Sequence, residues 1–132
     1  MVELSGVSFG YQSDKNVLDN LNLRMEEGRF YGLLGMNGSG KTTLLKLIAG
    51  KLFAHGGEIY VDGRNLRERD VETLQKVFML PADFIFPNMS LEQFLAIYSE
   101  FYPEFRKEVL NDCLVNFEIQ RDIKNLNQLS LG

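Results

Sequence analysis

The chain has 132 residues, 45% of them hydrophobic, with a formal net charge of −4. That size and apolar content suit one folded domain and exclude a disordered chain. The acidic balance argues against a nucleic-acid partner, and no apolar run reaches the 18 residues of a membrane span. Met1 leads straight into a strand pattern, so no signal peptide is expected. The single cysteine, Cys113, allows no internal disulfide and fits a reducing compartment. It falls in an apolar helical pattern, which predicts buried packing. His55 is the only histidine and stands in a turn without neighbouring ligand types, so a histidine metal site is not expected.

Residues 2–10 predict a strand with partial alternation, followed by Tyr11 and a polar loop. Residues 17–25 predict a second strand, with Leu21, Leu23 and Met25 alternating with polar residues. Glu26-Glu27-Gly28 is a turn. An apolar strand follows at about 30–34, then a glycine-rich loop. A helix runs to about Lys51, with Gly50 as its C-cap. Glu58–Val61 predicts a short strand and Asp62-Gly63 a tight turn. Residues 64–66 return as a short strand or loop, and 69–75 are helical. Lys76–Leu80 predicts a buried strand stopped by Pro81, and residues 83–88 an aromatic loop.

Ser90-Leu91-Glu92-Gln93 is a capping-box signature. It opens a helix over 91–101 with Leu91, Phe94, Leu95 and Tyr98 on one face. Pro103 begins the next helix, to about Phe117, with Phe105, Val109, Cys113 and Leu114 at helical spacing. These apolar stripes predict core rather than partner surface.

The chemistry concentrates in Gly35-Met36-Asn37-Gly38-Ser39-Gly40-Lys41-Thr42, which matches the phosphate-binding pattern G-x-x-x-x-G-K-[ST]. It lies between a predicted strand and a predicted helix, where that chemistry works. Gly35, Gly38 and Gly40 let the backbone turn so that successive N–H groups form an anion nest. The first helical turn adds unpaired N–H groups and the positive end of the helix dipole. Lys41 is the expected catalytic cation on the β- and γ-phosphates, and Thr42 the expected hydroxyl ligand of Mg²⁺.

The succession of motifs is narrower than the loop alone. Phe9-Gly10-Tyr11, Leu33–Leu45, Gly56–Gly63, Phe86–Leu91 and Leu129-Ser130-Leu131-Gly132 resemble the ATP-binding subunit of ABC transporters over essentially the whole chain. The resemblance implies an α/β, P-loop NTPase (ABC ATPase-like) fold. That fold has an antiparallel β subdomain and a helical subdomain, with an incomplete core sheet in this stretch. Residues 1–81 would form the P-loop core with the β subdomain. Residues 82–132 would form the helical subdomain, ending at the start of the signature motif.

The cofactors implied are ATP and Mg²⁺. By the resemblance Tyr11 stacks on adenine, Asn37 and Ser39 line the loop, and Thr43 bonds the α-phosphate. Ser130 would meet the γ-phosphate held by a second ATP-binding subunit, in a homo- or heterodimer. The implied activity is ATPase driving transport through a membrane permease subunit, with residues 82–105 as the permease contact. The implied location is cytoplasmic, peripheral on the inner face of the membrane. No nucleic-acid partner is expected.

Two departures qualify this. Ala82 stands where the family commonly has a glutamine that touches Mg²⁺ and the attacking water. The acidic Walker B strand, the water-polarising glutamate and the switch histidine of the family all lie beyond the signature. The chain is therefore expected to be an N-terminal part of a longer ATPase that binds ATP without turning it over. Its unpaired sheet edges are expected to favour self-association. Other classes remain open. One is a non-transporter ABC-type ATPase, which would more often carry coiled-coil or basic insertions. Another is a small P-loop kinase, which would need arginines in a lid, and residues 84–105 hold none.

Overall fold

A computed structural model describes residues 1–82 and 84–128. The chain divides into two compact units, Met1–Met79 and Leu80–Gly132.

The first unit is built on strands β1 (Val2–Phe9), β2 (Leu18–Met25), β3 (Gly56–Val61) and β4 (Arg64–Asn65). They form one antiparallel sheet in the order β2-β1-β3-β4. The partial alternation of β1 has a structural cause. Leu4 pairs with Leu23 and Val7 with Leu21, three steps on β1 against two on β2, so β1 bulges between them. From Val7↔Leu21 to Phe9↔Leu18 the imbalance reverses, and Asn20 on β2 takes φ +49°. One extra residue flips the side-chain parity, so Leu4, Val7 and Phe9 all reach the core despite an uneven spacing. The same bulge brings β1 close to β3. A Cβ on Gly57, which has φ +75°, would lie 2.4 Å from the Gly6 carbonyl, so only glycine fits.

Helix α1 (Lys41–Ile48) buries Leu44 and Leu47, one turn apart, among Leu4, Val7, Phe9, Ile59, Val61 and Leu66. Gly50 follows at φ +65°, and its N–H bonds the Leu47 carbonyl, closing the helix as expected. Residues 64–66 resolve into β4 and a 3₁₀ turn, Leu66–Glu68. Helix α2 (Val71–Gln75) is capped by Asp70, whose side chain accepts from the Thr73 N–H.

Two expected strands do not form. Residues 30–34 and 76–80 carry no strand pairing, and Phe30 and Leu34 stand out in solvent. A strand exists only as one half of a hydrogen-bonded ladder, and no described strand lies beside either segment. Residues 30–34 are instead tied down locally, where the Glu26 N–H donates to the Tyr31 hydroxyl at 2.7 Å. Val77 caps the end of α2 by bonding the Leu74 carbonyl.

The second unit holds α3 (Leu91–Tyr98) and α4 (Lys107–Asn116). The capping box is present: the Gln93 N–H donates to Ser90 Oγ, and the Ser90 N–H to Gln93 Oε1. A 3₁₀ turn, Ser99–Phe101, extends α3. The predicted start of the next helix at Pro103 is corrected to Lys107. The Phe105 N–H bonds the Tyr102 carbonyl in a separate turn, and Arg106 is extended.

The core expectation for the two stripes holds only in part. No residue of α3 is fully buried. Its aromatics pack on one another, with Phe94 stacked on Tyr98 at 4.2 Å and Phe86 edge-on to Phe94. On α4 only Leu114 is buried, while Val109 and Cys113 are exposed, so the expected burial of Cys113 is wrong. Helical period fixes which residues share a face, but only a covering element buries that face. Leu126 is buried in the same unit. Its N–H bonds the Met89 carbonyl, and the Leu91 N–H bonds the Ile123 carbonyl, joining residues 119–128 to the start of α3.

Candidate functional site

The glycine loop ends where α1 begins. The Ser39 N–H donates to the Met36 carbonyl and closes a turn over 36–39. Gly40 then takes φ +91°, and a Cβ there would lie 3.0 Å from Val17 and 3.1 Å from Leu18. Both the dihedral and the close approach of β2's entry require glycine at this point. The result is a helix start with no side-chain cap and no acidic residue in its first turn. Of the other α-helices, α2 and α3 are capped by Asp70 and Ser90, while α4 also starts without a side-chain cap but carries Glu108 in its first turn. The first N–H groups of α1 and the positive end of its dipole are thus left for an external anion.

Lys41 folds over the loop. Its Nζ donates to the Gly35 carbonyl at 2.8 Å, to the Met36 carbonyl at 2.7 Å, and more loosely to Ser39 Oγ at 3.5 Å. The ammonium therefore sits at the mouth of the anion cradle. Thr42, second in α1, is exposed; Thr43, third, is buried. An open pocket of about 420 Å³ is lined by Tyr11, Val17, Asn37, Gly38, Gly40, Lys41, Thr42 and Thr43.

Tyr11 reaches this pocket from the end of β1. Its ring stands edge-on to Phe9 at 5.1 Å, and its hydroxyl lies 3.1 Å from Thr43 Oγ1. Tyr11 as a whole stays 62% exposed, which leaves it accessible to a flat ligand.

Nearly all the residues singled out from the sequence come together here: Tyr11, Gly35, Asn37, Gly38, Ser39, Gly40, Lys41, Thr42 and Thr43. Ser130 lies outside the described residues, as does Asp83. Sequence reasoning missed Val17, which lines the pocket and holds Gly40. Its place just before β2 marks it as apolar, but nothing local tells which way it faces. Among the described residues no cluster of three metal-ligating His, Cys, Asp or Glu side chains exists. No helix among them is long and apolar enough to cross a membrane.

This geometry agrees with what the chain resembles. A family model described as ABC transporter matches residues 18–132. The ABC transporter ATP-binding protein YtrB of Bacillus subtilis (strain 168) is 32% identical over all 132 residues, which span 44% of that protein. A solved ATP-binding subunit of an ABC transporter superposes with a TM-score of 0.84 at 23% identity, over 98% of this chain and 56% of that one. The ATP-binding cassette MJ0796, solved as a dimer in a post-hydrolysis state with ADP and Pi, gives 0.75 at 26% identity, over 98% and 63%. The chain thus spans about half the length of its relatives. Its sheet, loop and helices are a portion of the P-loop ABC ATPase fold, and the chain belongs to the ABC transporter family as a stretch of the ATP-binding domain.

Proposed function

We propose that this chain forms the ATP-binding part of an ABC transporter ATPase. Its phosphates would lie on the loop Gly35–Gly40 and the first turn of α1. The observation that carries this reading is the uncapped, acid-free start of α1 together with the Lys41 ammonium held on the loop carbonyls of Gly35 and Met36. Lys41 would turn from the Gly35 and Met36 carbonyls to the β- and γ-phosphates. Thr43 would donate to the α-phosphate, Asn37 and Ser39 would border the γ-phosphate, and Tyr11 would stack on the base.

Thr42 fits a Mg²⁺ ion, since it offers a hydroxyl from an exposed residue at the second helical position. Bound there, the ion would neutralise phosphate charge. With no metal-ligating cluster among the described residues, the triphosphate would supply most of the ion's anchoring besides Thr42. For the whole protein the reading extends to a second ATP-binding subunit, completed by Ser130. It extends also to a membrane permease driven by hydrolysis, at the inner face of the membrane. The dimeric state of the MJ0796 cassette supports the first of these.

For these 132 residues alone the reading is binding without turnover. Ala82 supports it, because a methyl group can neither ligate Mg²⁺ nor orient water. A thermal melt of the chain with Mg-ATP, run beside a phosphate-release assay, tests both parts. The expected result is a raised midpoint, worth about 2.7 kcal/mol at a hundredfold excess over Kd, with no phosphate released. Release that depends on Lys41 would overturn the binding-only reading.

A further inference from the structure

We propose that the Tyr11 hydroxyl positions the phosphate end of the site, acting through Thr43. This rests on the nucleotide reading above and goes beyond the use of Tyr11 as a stacking surface. A ring that only stacks needs no hydroxyl, and phenylalanine would serve equally. Here the hydroxyl has a specific place. The ring rests edge-on against Phe9 at 5.1 Å, and its oxygen reaches across to Thr43 Oγ1 at 3.1 Å, linking residues 32 apart. Thr43 is 5% exposed, and both side chains line the same pocket.

The direction of the bond decides its consequence. Either hydroxyl can donate in this pair; with the Tyr11 phenol, the stronger acid, as the donor, Thr43 Oγ1 accepts. The proton of Thr43 is then free to be donated into the pocket, toward an anion at the start of α1. Hydrogen bonds in series polarise one another, so the Tyr11 bond makes Thr43 a better donor to phosphate. Tyr11 is thus a positioning residue with two ends: its face serves the base, and its hydroxyl sets the rotor of a phosphate-binding group on another element. Without the hydroxyl, Thr43 is free to rotate and to turn its proton elsewhere.

The test separates the face from the hydroxyl by using a ligand with no base. Inorganic tripolyphosphate and ATP, each with Mg²⁺, are titrated calorimetrically into the 132-residue chain and into Tyr11→Phe, Thr43→Val and the double variant. Tyr11→Phe is expected to weaken tripolyphosphate about fivefold, the size of one neutral hydrogen bond. That loss is expected to vanish in the Thr43→Val background and to return in Thr43→Ser, which keeps the hydroxyl. Melting curves establish that each variant is folded.

Tripolyphosphate binding unchanged by Tyr11→Phe would overturn the proposal, since the hydroxyl would then serve only to hold the ring. An equal loss with and without Thr43 would overturn it too. Normal ATP binding beside either outcome leaves the nucleotide reading standing. A wild-type chain that binds neither ligand would sink both.

Discussion

At the scale of single residues, charge and backbone dihedral decide most of what can be tested. Asp62 stands at the β3–β4 turn between two cations. The amino terminus donates to its Oδ1 at 2.6 Å and Lys76 to its Oδ2 at 2.9 Å. These two bonds, the amino terminus first, hold its carboxyl down from the ordinary 3.8 to about 2. A depressed carboxyl stabilises the fold above its unfolded value and loses that contribution as pH falls through the folded one. Thermal midpoints of wild type and Asp62→Asn are therefore expected to differ near neutrality. They should converge between about pH 4 and pH 2. Asparagine tolerates the φ of +50° at this turn, so the backbone is not the variable. A gap that stays constant across that range would show that the ion pairs contribute nothing. At Gly40 both strain and contact oppose a side chain, so Gly40→Ala is expected to lower the melting midpoint and to abolish nucleotide binding. An alanine variant that binds ATP like the wild type would contradict the assigned loop geometry.

At the scale of elements, α1 joins the site to the core. Leu47 is fully buried among residues of the sheet, so Leu47→Ala is expected to cost about 2–5 kcal/mol in urea denaturation. In the second unit the capping box is the main local determinant of α3. Ser90→Ala should cost about 1 kcal/mol, read as faster amide exchange in the first turn of that helix. What could be read from the sequence divides along the same line. The loop Gly35–Thr42 and the box Ser90–Gln93 are legible because their parts are near neighbours in the chain. The residues of β1 were legible as a strand, but not its bulge, because parity is set by pairing with Leu21 and Leu23. Residues 30–34 and 76–80 look like strands and are not, since ladders need partners. Cys113 keeps its helical spacing and is exposed all the same. The Tyr11–Thr43 contact joins residues 32 apart in two different elements and leaves no local mark in the sequence.

At the scale of the whole molecule, many large apolar side chains face outward. Phe30, Leu34, Met36, Ile85, Val115 and Phe117 are all exposed, in both units. Apolar surface of this extent favours association in water. Sedimentation velocity is expected to show concentration-dependent self-association, and a single monomeric species across the range would refute that expectation. The central claim is that the uncapped start of α1 and Lys41 form a phosphate site. Calorimetric titration of Mg-ATP into wild type and Lys41→Ala tests it most directly. Binding by wild type, weakened roughly ten- to hundredfold in Lys41→Ala as expected for a lost charged hydrogen bond, is the predicted result. Equal binding by the two chains, or none by the wild type, would contradict it.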